Sequence, residues 1–121
     1  MRIDIHTGKF SLTDSLRNHV ERKAYYALGW AEPSLHQVIV RLDDLNGPNK
    51  GGVDKLCRVQ IPLVGGAVVV IAEVQADLYS AVDKAMERAN QSLTRKLERK
   101  RQHHFKRFTA PLMDVPQSLT S

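Results

Sequence analysis

The chain has 121 residues, 42% of them hydrophobic and 26% charged, which fits one small folded domain and excludes a disordered polar chain. Its formal net charge is +5, its single cysteine, Cys57, cannot close an internal disulfide, and its longest apolar run, Ala67 to Ala72, is too short to cross a bilayer. Met1 leads straight into Arg2-Ile3-Asp4-Ile5 with no charged-then-apolar presequence, so a cytoplasmic protein with no membrane partner is expected.

Arg2 to His6 alternates polar and apolar residues, the pattern of a half-buried strand. Thr13 and Asp14 signal a helix start, and Leu16, Val20, Ala24, Ala27 and Leu28 follow at helical spacing. Gly29 is expected to stop that helix and Pro33 to bar its continuation. Gln37 to Asp43 alternates again, and the glycine- and asparagine-rich stretch from Asn46 to Gly52 reads as a long connection to an antiparallel neighbour. That neighbour, about Leu56 to Pro62, turns Cys57, Val59 and Ile61 inward and Arg58 and Gln60 outward. Gly65-Gly66 makes the next turn, and Val68 to Gln75 is a fourth strand. Asp77 caps a second helix from about Leu78 to Arg101 or a little beyond. The order β-α-β-β-β-α, with one apolar stripe per helix, predicts an α+β two-layer sandwich: a four-stranded sheet with both helices on one face. The folded domain is expected to span residues 1–108, with 109–121 as a flexible tail. Ile39, Val69 and Ile71 are expected on the open face, together with Arg41 and Arg58.

The positive charge is concentrated. Residues 1–83 hold nine Lys/Arg against ten Asp/Glu, whereas residues 84–107 hold nine Lys/Arg against Glu87 and Glu98 alone. On a wheel of about 100° per residue, Lys84, Arg88, Arg95 and Arg99 fall within about 60° of one another. Leu78, Val82, Ala85, Ala89, Leu93 and Leu97 form a separate apolar sector, and Asp83, Glu87 and Glu98 a third. Like charges one turn apart repel, so this alignment costs helix stability unless an external anion meets it. The negative end of the helix dipole favours Lys96, Lys100 and Arg101 in any case, but it does not account for Lys84 and Arg88 further upstream. Arg22 and Lys23 lie on the outer flank of the first helix and would join the stripe if the two helices were parallel neighbours.

The pattern therefore points to a polyanion. DNA readers usually place Asn, Gln or Arg near the start of a groove-inserted helix. Here the helix opens Asp77-Leu78-Tyr79-Ser80 and its charge comes later, which suits backbone and shape recognition of structured RNA. An enzyme is not expected. Cys57 reads as a small core residue, His103-His104 are adjacent with no third ligand, and neither glycine pair has the context of a phosphate loop. No cofactor, metal or small-molecule substrate is implied. The rival reading is a protein-binding regulator that uses the open sheet face or a sheet edge.

These residues resemble the ribosome hibernation-promoting factor and ribosome-associated inhibitor family, in a short and divergent form. The resemblance spans most of residues 1–101. It rests on Thr13-Asp14-Ser15-Leu16-Arg17, on Val20, Glu21 and Lys23, on Gly65-Gly66, and above all on Asp77-Leu78-Tyr79-Ser80-Ala81-Val82-Asp83. The chain departs from the family at Tyr26 and Gln91, where basic residues are usual, in Gly65-Gly66-Ala67-Val68-Val69-Val70, and in the long loop Asp43 to Lys55. The resemblance implies the same fold and a non-enzymatic factor that binds the small ribosomal subunit in the channel used by mRNA and tRNA, silencing and protecting idle ribosomes. It also implies that Lys23, Arg88, Arg95 and Arg99 contact rRNA phosphates. Charge adds Arg22, Lys84, Lys96 and Lys100 to the expected rRNA-binding set. No counterpart of the dimerisation domain of long members is seen, so promotion of ribosome dimers is not expected.

Overall fold

The computed structural model describes residues 1–8, 10–45 and 54–109, with side chains as far as Arg99. Most of the loop Asn46 to Lys55 and the tail beyond Thr109 lie outside the described residues, as do the side chains of Lys100, Arg101, His103 and His104. The chain divides into two compact units, Met1–Gln91 and Ser92–Ser121.

The elements of the first unit run β1 (Ile3–Thr7), α1 (Asp14–Leu28), a 3-10 helix (Gly29–Ser34), β2 (Val38–Asp44), β3 (Lys55–Pro62), β4 (Val68–Gln75) and the start of α2 (Leu78–Thr109). The strands form one four-stranded sheet in the order β1-β2-β3-β4. β1 lies parallel to β2, and the other two pairings are antiparallel. Parallel neighbours need a crossover between them, and α1 supplies it. Its first turn is capped by Thr13, whose Oγ1 accepts from the Leu16 amide at 3.1 Å. Leu16, Val20, Ala24 and Leu28, four residues apart, are the buried stripe.

α1 ends at Leu28 with Gly29 as its C-cap, as expected, but the cap is not a left-handed one. It stays right-handed at φ −59°, ψ −31°, and its amide bonds to the Tyr25 carbonyl. The chain tightens into the 3-10 turns that contain Pro33, and these close with Leu35 N donating to Glu32 O at 3.1 Å. Proline fits there because its fixed φ suits the tighter helix.

One sheet face is buried almost throughout. Val38, Val40 and Leu42 of β2, Cys57, Val59 and Ile61 of β3, and Val69 of β4 join the stripe of α1 and Ala81, Val82, Ala85, Met86 and Ala89 of α2 as the core. Val69 and Ile71 were expected outward, but Val69 pairs with Ile61 and Ile71 with Val59. Directly opposed residues project to the same side, so both belong to the helix-covered face. The open face instead carries Val68 and Val70, both exposed, beside Ile39, Arg41, Arg58 and Gln60.

Two turns are set by local chemistry. Gly65 and Gly66 take φ of +104° and +103°, a region that side chains disfavour, and Leu63 N donates to Ala67 O at 2.8 Å across the turn. Asp77 starts α2 by accepting from Ser80 N at 3.0 Å. Near the β2–β3 connection, Lys55 Nζ bonds the buried Asp54 at 2.7 Å and lies 3.4 Å from Asp44. The hydrogen bond to Asp54 is the main reason that Lys55 titrates above its ordinary value.

Cys57 is fully buried. Desolvation, with help from the carboxylate of Glu73 opposite it, pushes its thiol up to about 12. A thiol held this high is protonated at neutral pH and packs as a small apolar group. Native protein is therefore expected to leave Cys57 unlabelled by a thiol-alkylating reagent, and denaturant to expose it to full labelling. Rapid labelling of the native state would contradict this packing.

Candidate nucleic-acid interface

The two helices of the first unit run side by side in the same direction. Ser15 Oγ meets Tyr79 Oη at 2.8 Å and His19 Nε2 meets Asp83 Oδ1 at 2.7 Å, so the offset between partners stays at 64 residues along both helices. The rings of His19 and Tyr79 also stack edge to face, 4.9 Å between centroids. Further along, Trp30 Nε1 donates to Asn90 Oδ1 at 2.8 Å and to Ala27 O at 3.0 Å. The groove between the helices, about 510 Å³, is lined by Lys23, Tyr26, Trp30, Asp83, Glu87 and Asn90 among others.

This packing decides what each cation of the helix layer meets. Asp83 faces α1, and Lys23 turns to it at 3.7 Å instead of joining a row of cations. Lys84 lies 3.9 Å from Glu87, one turn ahead on the same helix. Arg88 reaches back to the edge strand, where its Nη1 donates to the Glu73 carboxylate and lies 3.5 Å from the Ala72 carbonyl oxygen. Glu73 can meet α2 because its pairing with Cys57 places it on the helix-covered face. The Arg88 hydrogen bond holds the Glu73 carboxyl below its ordinary value of 4.5. Arg88 still leaves half of its side chain exposed. Arg22 is exposed and has no carboxylate partner among the described residues.

In the second unit, Arg95 and Arg99 are exposed and Lys96 is half-buried. None of the three has a carboxylate partner among the described residues. Arg95 and Arg99 stand one turn apart, where two cations repel each other and attract the same polyanion. Among the described residues of this helix, Arg95, Lys96 and Arg99 are the cations without a carboxylate partner, and the two arginines are the more exposed.

The sequence does not disclose Glu73 as a partner of Arg88, because that contact depends on strand register. The helix groove was equally hidden. Its one sequence signal was the acidic sector of the second helix, which carries Asp83 and Glu87 apart from the basic stripe. Among the described residues, no group of three or more His, Cys, Asp or Glu is placed to hold a metal ion, and no helix is long and apolar enough to cross a membrane.

Comparison with known proteins bears on this geometry. Residues 3–101 match the profile of a family described as sigma 54 modulation protein / S30EA ribosomal protein. The N-terminal domain of Protein Y from Thermus thermophilus is similar at 27% identity and a TM-score of 0.64, over 78% of this chain and 98% of that one. A ribosomal subunit interface protein from Coxiella burnetii shares the fold at 17% identity and a TM-score of 0.69, over 81% of this chain and 99% of that one. No curated protein sequence matches the chain.

The Arg88–Glu73 pair predicts an acid-sensitive component of stability. Because the folded carboxyl titrates below its ordinary value, the pair stabilises fully above 4.5 and loses its effect as the pH falls from there through the lowered value. The melting temperature of wild type is expected to exceed that of Glu73→Gln at neutral pH, with the gap narrowing in acid. A gap that stays constant as the pH falls would show that the pair contributes nothing through ionisation.

Proposed function

We infer the function from one premise: this chain belongs to the sigma 54 modulation protein / S30EA ribosomal protein family. It is a ribosome-associated factor. Beyond that, we propose that it binds the small ribosomal subunit and its rRNA through cations of its helices, occupies the channel used by mRNA and tRNA, and so inhibits translation and protects idle ribosomes. Such an action needs steric occupancy and no bond-making, so the reading is of a non-enzymatic protein that works without cofactor or small-molecule substrate, in the cytoplasm where ribosomes are.

The observation that carries this reading is the pair Arg95 and Arg99, exposed one turn apart with no carboxylate partner among the described residues. Two such cations aligned on a helix cost stability by themselves and gain it against a phosphate backbone. Arg22 and Lys96 fit the same role. Lys23, Lys84 and Arg88 rank behind them, since each has a carboxylate oxygen within 4.0 Å to give up before it serves an outside phosphate. Lys100 belongs to the proposed set by sequence, its side chain lying outside the described residues.

Arg88 is a poor site for a charge-reversal test, because a glutamate there would stand beside Glu73 and disturb the fold. Arg95→Glu/Arg99→Glu avoids that. Co-sedimentation with purified small subunits over a salt series is expected to show wild-type binding falling steeply with salt. For the variant we expect weaker binding and a log–log salt slope shallower by about 1.4 to 1.8, the loss of two phosphate contacts. Equal binding and equal slope would remove these residues from the interface.

A further inference from the structure

The open face of the sheet carries a second basic feature, on the side away from α1 and from the part of α2 that belongs to the first unit. Arg41 of β2 pairs directly with Arg58 of β3, and on the other side of Arg41 stands His6 of β1. The three side chains form one row across three adjacent strands. Together with Ile39 and Gln60 they line a shallow concavity of about 200 Å³. All three are exposed.

Like charges directly opposed in a sheet destabilise the pairing, and a sheet that gains nothing from such a pair has many neutral or acidic residues to put there instead. The nearby carboxylates offset the row only in part. Asp4 lies 3.5 Å from Arg2, and Asp43 meets Arg41 at 3.9 Å, the distance that separates Glu87 from Lys84. The other Asp43 oxygen accepts from the Asp44 amide at 2.9 Å. Among the described residues, Arg58 has no carboxylate partner.

We propose that this face is a second phosphate-binding surface, in which His6, Arg41 and Arg58 hold the sugar–phosphate backbone of ribosomal RNA. Two guanidinium groups side by side present forked donors that match phosphate oxygens, and Gln60 adds an uncharged donor at the rim of the same concavity. The occupant follows from charge complementarity: Val68 and Val70 would serve an apolar protein surface, whereas two opposed arginines call for an anion, and on a ribosome the most abundant anion is the phosphate of RNA. Because α1 and the first part of α2 cover the opposite sheet face, contacts of this row and of helix cations of the first unit such as Arg22 would seat that unit between two RNA elements. This inference rests on the ribosomal reading given above and adds a surface to it.

The test compares Arg41→Gln/Arg58→Gln with Arg95→Glu/Arg99→Glu for binding to purified small ribosomal subunits over a salt series. The sheet variant is expected to bind about tenfold more weakly, as for lost hydrogen bonds to a charged group. Its salt slope should be shallower by about 1.4 to 1.8. The single variants Arg41→Gln and Arg58→Gln should melt at or above the wild-type temperature, since each relieves the repulsion. A lower melting temperature would show that the pair is not strained and would overturn the argument. If the sheet variant binds like wild type while the helix variant is weakened, the second surface is refuted and the ribosomal reading stands. If neither variant is weakened, both fall together. A loss of affinity in the sheet variant with no change in salt slope would assign the face to a protein partner and also refute the proposal.

Discussion

A four-stranded sheet with one apolar face has to cover that face, and in this chain the covering determines what the charged residues Lys23, Asp83 and Arg88 of the helix layer meet. Val38, Val40, Leu42, Cys57, Val59 and Ile61 form a continuous buried surface, and the apolar stripes of α1 and of the first part of α2 close over it. Two helices laid side by side on one sheet leave each only a narrow choice of orientation. Their apolar stripes point down, their adjoining flanks meet at Ser15–Tyr79 and His19–Asp83, and only the outer flanks remain for solvent or a ligand. In the first part of α2, Asp83 and Glu87 thus line the groove, and Lys84 and Arg88 are not among the residues that line it.

That geometry divides the cations into two kinds. Some are engaged inside the molecule: Lys23 with Asp83, Lys84 with Glu87, Arg88 with Glu73. These pairs are partly exposed, so each contributes little to stability and can exchange its partner for a phosphate at small cost. Others, Arg22, Arg95 and Arg99 on the helices and Arg58 on the sheet, have no internal carboxylate among the described residues. The counterpart proposed for these cations is ribosomal RNA, because RNA binding is driven by neutralising phosphates and releasing their counterions. Among the described cations of α2, those without an internal carboxylate partner, Arg95, Lys96 and Arg99, lie later in the helix than Arg88.

Much of the fold was legible in the sequence for reasons that are local. Alternation in Arg2–His6 and Leu56–Pro62 marks strands because side chains on a strand change side at each residue, and Thr13 and Asp77 mark helix starts because a side-chain oxygen there can accept a free amide. Gly65-Gly66 announced its turn through the positive φ that glycine tolerates. What was not legible depends on partners distant in sequence. The run Ala67 to Ala72 is apolar at every position, so it has no alternation from which to read a face, and only its register with β3 puts Val69 and Ile71 inward. The Glu73–Arg88 pair needs the same register as well as the position of α2. Gly29 does mark the end of α1, but the right-handed 3-10 segment that follows it was not legible, since a glycine after a helix is commonly left-handed. For the candidate interface, the wheel identified which residues carry positive charge on one sector, but not which of them the fold would neutralise.

The central claim is that the free cations of the helices meet phosphates of ribosomal RNA, and a cryo-EM reconstruction of the chain bound to the small ribosomal subunit examines it at the level of atoms. The account predicts density in the mRNA and tRNA channel, with the guanidinium groups of Arg95 and Arg99 within about 2.7 to 2.9 Å of rRNA phosphate oxygens. A reconstruction in which both arginines face solvent, or in which the chain sits only on ribosomal proteins outside that channel, would contradict it.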